Sequence, residues 1–161
     1  MKGFLVGFLA AALIVAGAPL RAQQKPNFSG SWKMNQVKSD FGPAPAPDTF
    51  TRKIVHAEPS ITIDEVQGSP LGEQQTSRKM TTDGKENTNT LRTMMGEQPV
   101  TSTSKWNGKA LVTAYKLAFQ DMTIDVSESW ELSADGKSLT VARDFKSQQG
   151  DFSQKSVLNK Q

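Results

Sequence analysis

The sequence predicts an all-β protein: an antiparallel up-and-down meander of about ten short strands, a sandwich or a barrel. Three observations predict it. Side chains alternate at period two over most of the chain after residue 30, and no stretch there keeps a helical period. Turn signals recur every 10 to 20 residues. Three of them share one chemistry, Asp83–Gly84–Lys85, Asn107–Gly108–Lys109 and Asp135–Gly136–Lys137. Asp-Gly and Asn-Gly suit two-residue hairpins, whose central positions need positive φ.

On this basis strands are expected near 30–35, 49–57, 60–67, 73–82, 86–93, 98–106, 109–118, 122–132, 138–146 and 152–159. One connection is unlike the others. DFGPAPAPDT, residues 40–49, carries Pro43, Pro45 and Pro47, which favour an extended, polyproline-like path. It reads as a stiff connector or as a lid over a barrel mouth.

The first 22 residues read as a secretory signal peptide. Met1–Lys2 is a short positive start, Gly3 to Ala18 is apolar and uncharged, and Leu20–Arg21–Ala22 offers a small residue at the cut. The apolar run of 16 residues is shorter than the roughly 20 that a membrane span needs. An uncleaved anchor is the alternative. Residues 23–161 then form one domain, periplasmic or secreted, with no membrane span left after signal removal. Without Lys2 and Arg21 the count is 17 Lys and Arg against 16 Asp and Glu, a net charge near +1. The charges are interspersed, which gives no footprint for nucleic acid. With no cysteine in the chain, packing and hydrogen bonds must hold the domain together.

Hairpin turns fix register, so the sequence also predicts which side chains meet. A turn at Asp135–Gly136 sets Leu132 opposite Leu139, Trp130 opposite Val141, Glu128 opposite Arg143 and Val126 opposite Phe145. A turn at Gln120–Asp121 sets Phe119 opposite Met122, Leu117 opposite Ile124, Tyr115 opposite Val126, Thr113 opposite Glu128 and Leu111 opposite Trp130. Both turns send the same face of 122–132 inward. A turn at Glu58–Pro59 pairs His56 with Ile61, Ile54 with Ile63, Arg52 with Glu65 and Phe50 with Gln67. The 73–93 hairpin is polar on both faces, with only Met80 and Leu91 on its better one.

Two Glu–Arg pairs within apolar faces do not suit a solid core, because buried charge is costly even when paired. They suggest a barrel with a partly wet interior that has room for a small ligand. At the barrel rim, in water, the same pairs would mean little. Tyr115, Leu117 and Ile124 are candidates for a pocket wall, with ordinary core as the alternative.

Gly30–Ser31–Trp32 on the first strand, KWNGK at 105–109 and the ten-strand meander together resemble the calycins, that is, lipocalins and intracellular fatty-acid-binding proteins. They are also similar to small secreted bacterial proteins of lipocalin-like type. The resemblance covers roughly residues 27–160 as a pattern of strands and turns. It implies a lipocalin-like barrel of 8–10 strands in which Trp32 plugs one end and Gly30 lets the backbone pass close by. It implies two competing roles for Arg143: stacking on Trp32, or holding a ligand carboxylate in the lumen. The chain departs from these families where the Pro-rich segment replaces two helices, in ending on a strand, and in having no disulfide.

Catalytic signatures are missing. Thiol chemistry is out, His56 is the only histidine, and no glycine-rich phosphate loop is present. Of the acids Asp121, Asp125, Glu128 and Glu131, alternation sends only Glu128 inward from its strand, so they cannot converge on one ion. The expectation is therefore no enzyme, no metal and no cofactor. The expected function is binding of a small apolar or amphipathic molecule, with its polar head near Arg52, Arg78 or Arg143. A cell-envelope accessory or inhibitor protein using the barrel as a scaffold is the alternative.

Overall fold

The structure is a computed structural model and describes residues 25–70, 72–93, 96–119 and 122–161. The expected leader at 1–22 and the Gln120–Asp121 turn lie outside the described residues. Ten strands follow one another: β1 Gly30–Met34, β2 Thr49–Ala57, β3 Ser60–Ser69, β4 Gly72–Thr81, β5 Asp83–Thr93, β6 Gly96–Asn107, β7 Ala110–Phe119, β8 Met122–Leu132, β9 Ser138–Ser147 and β10 Gly150–Lys160. A single 3₁₀ turn at Gln36–Lys38 follows β1.

All ten strands form one antiparallel sheet in the order β4-β3-β2-β1-β10-β9-β8-β7-β6-β5. It is a meander in which the first strand pairs with the last, as in Trp32 with Lys160 and Met34 with Leu158. The sheet therefore curls into a nearly closed barrel whose two edges, β4 and β5, face each other. The registers read from the turns hold throughout: Glu128 opposes Arg143, Leu111 opposes Trp130 and Arg52 opposes Glu65.

One expectation fails. The stretch 73–93 is not a hairpin, and Asp83–Gly84 is not its tip. β5 already begins at Asp83, which pairs with Lys105 on β6, and a register shift absorbs Gly84 and Lys85. Only Thr82 separates β4 from β5, and its N–H goes to Pro59 O on the β2–β3 turn. Side chains cross the seam: the Asn89 amide accepts from Lys79 N at 2.7 Å and donates to Lys79 O at 2.8 Å. The physical reason lies in composition. β4 carries Gln74, Gln75, Thr76 and Ser77 and β5 carries Asn87, Thr88, Asn89 and Thr90, so apart from Met80 and Leu91 few apolar side chains are there to favour a ladder.

The packed core fills one end of the barrel. Phe28, Trp32, Ile54, Ile61, Ile63, Leu111, Trp130, Leu139, Val141 and Leu158 are all buried there. Toward the other end the inward positions turn charged and then half-exposed, and that gradient positions the candidate site.

Candidate functional site

The closed end is sealed by stacked rings. Phe28, Gly30, Trp32 and Met34 alternate inward along the entry to β1. Phe28 is fully buried, stacked on His56 at 5.6 Å and Trp106 at 5.7 Å, with its edge to Trp130 at 5.5 Å. His56 Nδ1 accepts the Phe28 N–H at 3.2 Å. Its proton therefore sits on Nε2, which donates to Glu58 Oε1 at 3.1 Å. Trp106 Nε1 donates to the same oxygen at 2.9 Å and Thr82 Oγ1 to the other. Burial pushes the Glu58 carboxyl up, but the hydrogen bonds from Thr82, His56 and Trp106 outweigh it and leave the pKa lowered. His56 thus has a structural place in the seal.

Trp32 is buried near this plug and donates its Nε1–H to Phe28 O at 3.0 Å. The cation over its ring is not Arg143 but Lys160, with Nζ 5.4 Å from the centroid. Pairing of β1 with β10 sets Lys160 beside Trp32, whereas Arg143 points inward two strands away. Gly30 makes this contact possible, since at φ 144° a Cβ would lie 2.9 Å from Lys160 Cε. The close approach that the glycine allows is to the lysine side chain.

Above the plug, inward positions on five strands form a charged layer. Arg52 (β2) meets Glu65 (β3) at 2.6 Å, and Arg78 (β4) meets the same Glu65 oxygen at 2.9 Å. Arg78 also approaches Glu128 (β8) at 4.0 Å. Glu128 is bonded to Arg143 Nε and to Trp130 Nε1. The two Glu–Arg pairs are therefore one cluster, joined by Arg78 and placed inside the barrel: Arg52 is 2% exposed and Glu128 1%. The Arg52 guanidinium lies 4.8 Å from the centre of the Trp130 ring, so the layer rests on the plug by a cation–π contact.

Three arginines against two glutamates leave this cluster at net +1. Among the described residues, Arg52 Nε and Nη1 and Arg78 Nε are buried with no hydrogen-bond partner. Burial lowers the Arg52 pKa against the pull of Glu65 and Glu128. It pushes Glu65 up, but Arg52 and Arg78 prevail and hold its carboxyl at about 2. Glu128 is likewise raised by burial yet held well below the usual carboxylate range by Arg143 and Arg78. Tyr115 beside them is raised, by burial first and by Glu128 second.

A pH dependence follows from the depressed carboxyls. A carboxylate with a folded pKa near 2 and an ordinary unfolded value contributes full stability above about pH 5 and loses it as pH falls toward 2. The urea midpoint of the native protein is expected to fall across that window. In Glu65→Gln the fall should be shallower, which paired urea titrations at several pH values would read.

Above the charged layer the lumen holds two neighbouring cavities. The first, about 240 Å³, has Arg78, Tyr115 and Arg143 on its floor and Phe50, Leu117 and Phe145 among its walls. The second, about 150 Å³, lies under the Pro-rich segment between Phe41, Pro45, Pro47, Gln154 and Ser156. Phe50, Gln67 and Arg143 border both. The Pro-rich segment is tied at each end. Asp40 and Lys155 exchange backbone hydrogen bonds of 2.7 and 2.6 Å. Gln154 Nε2 donates to Phe41 O, Gln36 Nε2 to Asp48 O, and Asp48 N to Gly68 O.

A larger hollow of about 710 Å³ lies on the outside of β6–β9, against outward-facing residues such as Thr101, Ala114, Ser127 and Asp144. Its charges face solvent and Lys116 is already paired with Asp125 at 2.8 Å, so the interior is the better candidate despite its smaller volume.

Of the residues picked from sequence, Arg52, Arg78, Tyr115, Leu117, Glu128 and Arg143 converge on this interior. Arg78, Tyr115, Leu117 and Arg143 border the larger cavity, while Arg52 and Glu128 lie beneath its floor. Ile124 stands opposite Leu117 on β8 but borders neither cavity. Sequence reasoning left out Phe50, Gln67 and Phe145, although the paired registers already placed them on inward faces. It also left out Phe41 and Gln154, which no turn register reaches.

No family model and no curated protein matches the chain. Solved structures do. The chain is similar to a mutant of the fluorescent protein UnaG, at 19% identity and TM-score 0.58 over 83% of this chain and 95% of that one. It is similar to the zebrafish ileal bile acid-binding protein complexed with cholic acid, at 18% identity and TM-score 0.58 over 83% and 98%. It is also similar to secretory abundant heat soluble protein 4 from Ramazzottius varieornatus, at 14% identity and TM-score 0.56 over 87% and 99%. At these identities what is shared is the fold, a nearly closed barrel of ten antiparallel strands.

Proposed function

We propose that the protein is an exported carrier or receptor for a small amphipathic monoanion held in the barrel lumen. One observation carries this reading: a largely buried layer of three arginines and two glutamates, net +1, lies directly under a 240 Å³ cavity where Phe50, Leu117 and Phe145 stand among polar groups such as Gln67 and Thr76. A buried charge imbalance is unfavourable, and a bound anion removes it. Half-buried Phe50, Leu117 and Phe145 would cover the apolar part of such a molecule, while a few convergent polar groups orient its head. Arg143 is the natural first contact, because its Nε is engaged with Glu128 while its side chain borders both cavities. A similar barrel binding cholic acid supports the ligand class by analogy of fold. Export rests on the leader-like order of residues 1–22. Binding without catalysis rests on the cluster itself, whose carboxylates are each committed to arginines.

The reading predicts a specific loss. Arg143→Met is expected to weaken binding of nonanoate about tenfold or more, the worth of one charged hydrogen bond. Binding of nonanol should stay within about twofold, a difference too small for a lost charged contact. Isothermal titration of both ligands against both proteins, with folding checked by thermal melts, gives the answer. Equal losses for acid and alcohol would sink the role given to Arg143.

A further inference from the structure

The second cavity is the smaller one, and the Pro-rich segment gives it three walls that the first lacks, Phe41, Pro45 and Pro47. We propose that this lobe is a ring subsite: it takes a single aromatic ring attached to the anionic group at Arg143, so that the preferred ligand is an aryl monoacid and not a simple alkyl chain. This rests on the monoanion reading of the lumen and narrows it.

Volume is the first argument. A cavity of about 150 Å³ holds one benzene-sized ring, whereas an alkyl chain finds more room in the adjoining 240 Å³. The second argument is the walls. Pro45, Pro47, Phe41 and Phe50 all border the lobe and present rigid rings. Flat proline and aromatic faces pack well on each other, as in the aromatic grooves that receive proline-rich peptides. Pro47 is buried in this wall, and the segment is held down by the Asp40–Lys155 bridge and by Gln154 and Gln36. The lobe is therefore preformed, and little ordering cost is left for binding. The third argument is polarity. Gln67, Gln154 and Ser156 border the lobe and offer amide and hydroxyl groups that suit a ring bearing a hydroxyl. Arg143, shared by both cavities, puts the anion at the junction. An acid with its ring two or three bonds from the carboxylate would reach the lobe from there.

The test compares two acids of equal carbon count, hydrocinnamate and nonanoate, by isothermal titration against three proteins. In the native protein hydrocinnamate is expected to bind about tenfold tighter than nonanoate, a difference of about 1.4 kcal/mol. Ser156→Leu fills the lobe from β10 and should abolish that preference while leaving nonanoate within about twofold. Pro45→Gly removes a ring wall at an exposed position, where refolding is not at stake, and should weaken hydrocinnamate alone. If nonanoate binds as tightly as hydrocinnamate, or if both variants weaken the two acids equally, the ring subsite is overturned and the monoanion reading stands. If neither acid binds the native protein, the monoanion reading itself falls and takes this inference with it.

Discussion

Glu128→Leu is expected to cost about 3–5 kcal/mol of stability, as when one partner of a buried ion pair is removed. Glu128 is 1% exposed and is the shared acceptor for Arg143 and Trp130 Nε1, with Arg78 at 4.0 Å. Deleting it leaves three arginines facing one glutamate inside the barrel. The companion variant Glu128→Leu with Arg143→Met restores the cluster to net +1 and keeps the volumes close. It should therefore be more stable than Glu128→Leu alone, although it carries one more substitution. Urea unfolding of the two variants measures this non-additivity. Strictly additive losses would mean that the groups do not act as one cluster.

Phe28→Ala should cost about 3–5 kcal/mol, the usual range for emptying a buried aromatic site. The ring fills the closed end between His56, Trp106 and Trp130, and its backbone N–H and C=O bind His56 and Trp32. Its loss opens a void that stacked neighbours cannot collapse into without giving up those bonds. A blue-shifted tryptophan emission should move toward the red in the variant, alongside the lower urea midpoint. Near-native stability would show that the seal lies elsewhere.

Much of this architecture was legible because hairpins are local. The turn at Asp135–Gly136 counts Glu128 onto Arg143 and Trp130 onto Val141, and the chain has no freedom to slip without turning its apolar face to water. The same arithmetic joined Arg52 to Glu65. It stopped at the places where contacts are long-range. No turn links β1 to β10, so nothing in the sequence favours Lys160 over Arg143 as the cation on Trp32. Phe28 continues the alternation of Gly30, Trp32 and Met34 by one step, a signal present in NFSGSW but lying just before the first expected strand. Asp83–Gly84–Lys85 has hairpin chemistry, yet the polar strands around it do not pair. The tight turn became a bulge at the start of β5. Arg78 was a candidate head group by its charge alone. Its role in joining the two Glu–Arg pairs emerges only when β4 lies against β3, with Arg78 opposite Ile63 and next to Glu65. The ring-walled lobe was hidden for the same reason: prolines announce an extended segment, and only its tethers to β10 and β3 lay it against the lumen.

The most direct test of the central claim is calorimetric titration of the native protein with nonanoate and with nonanol, two nine-carbon chains of which one carries an anionic carboxylate head and the other a neutral hydroxyl. The unbalanced arginine layer predicts that the acid binds about tenfold or more tighter, the worth of a charge-assisted hydrogen bond or better. Equal affinities, or tighter binding of the alcohol, would contradict it and leave the buried charges as a structural layer with no ligand to balance them.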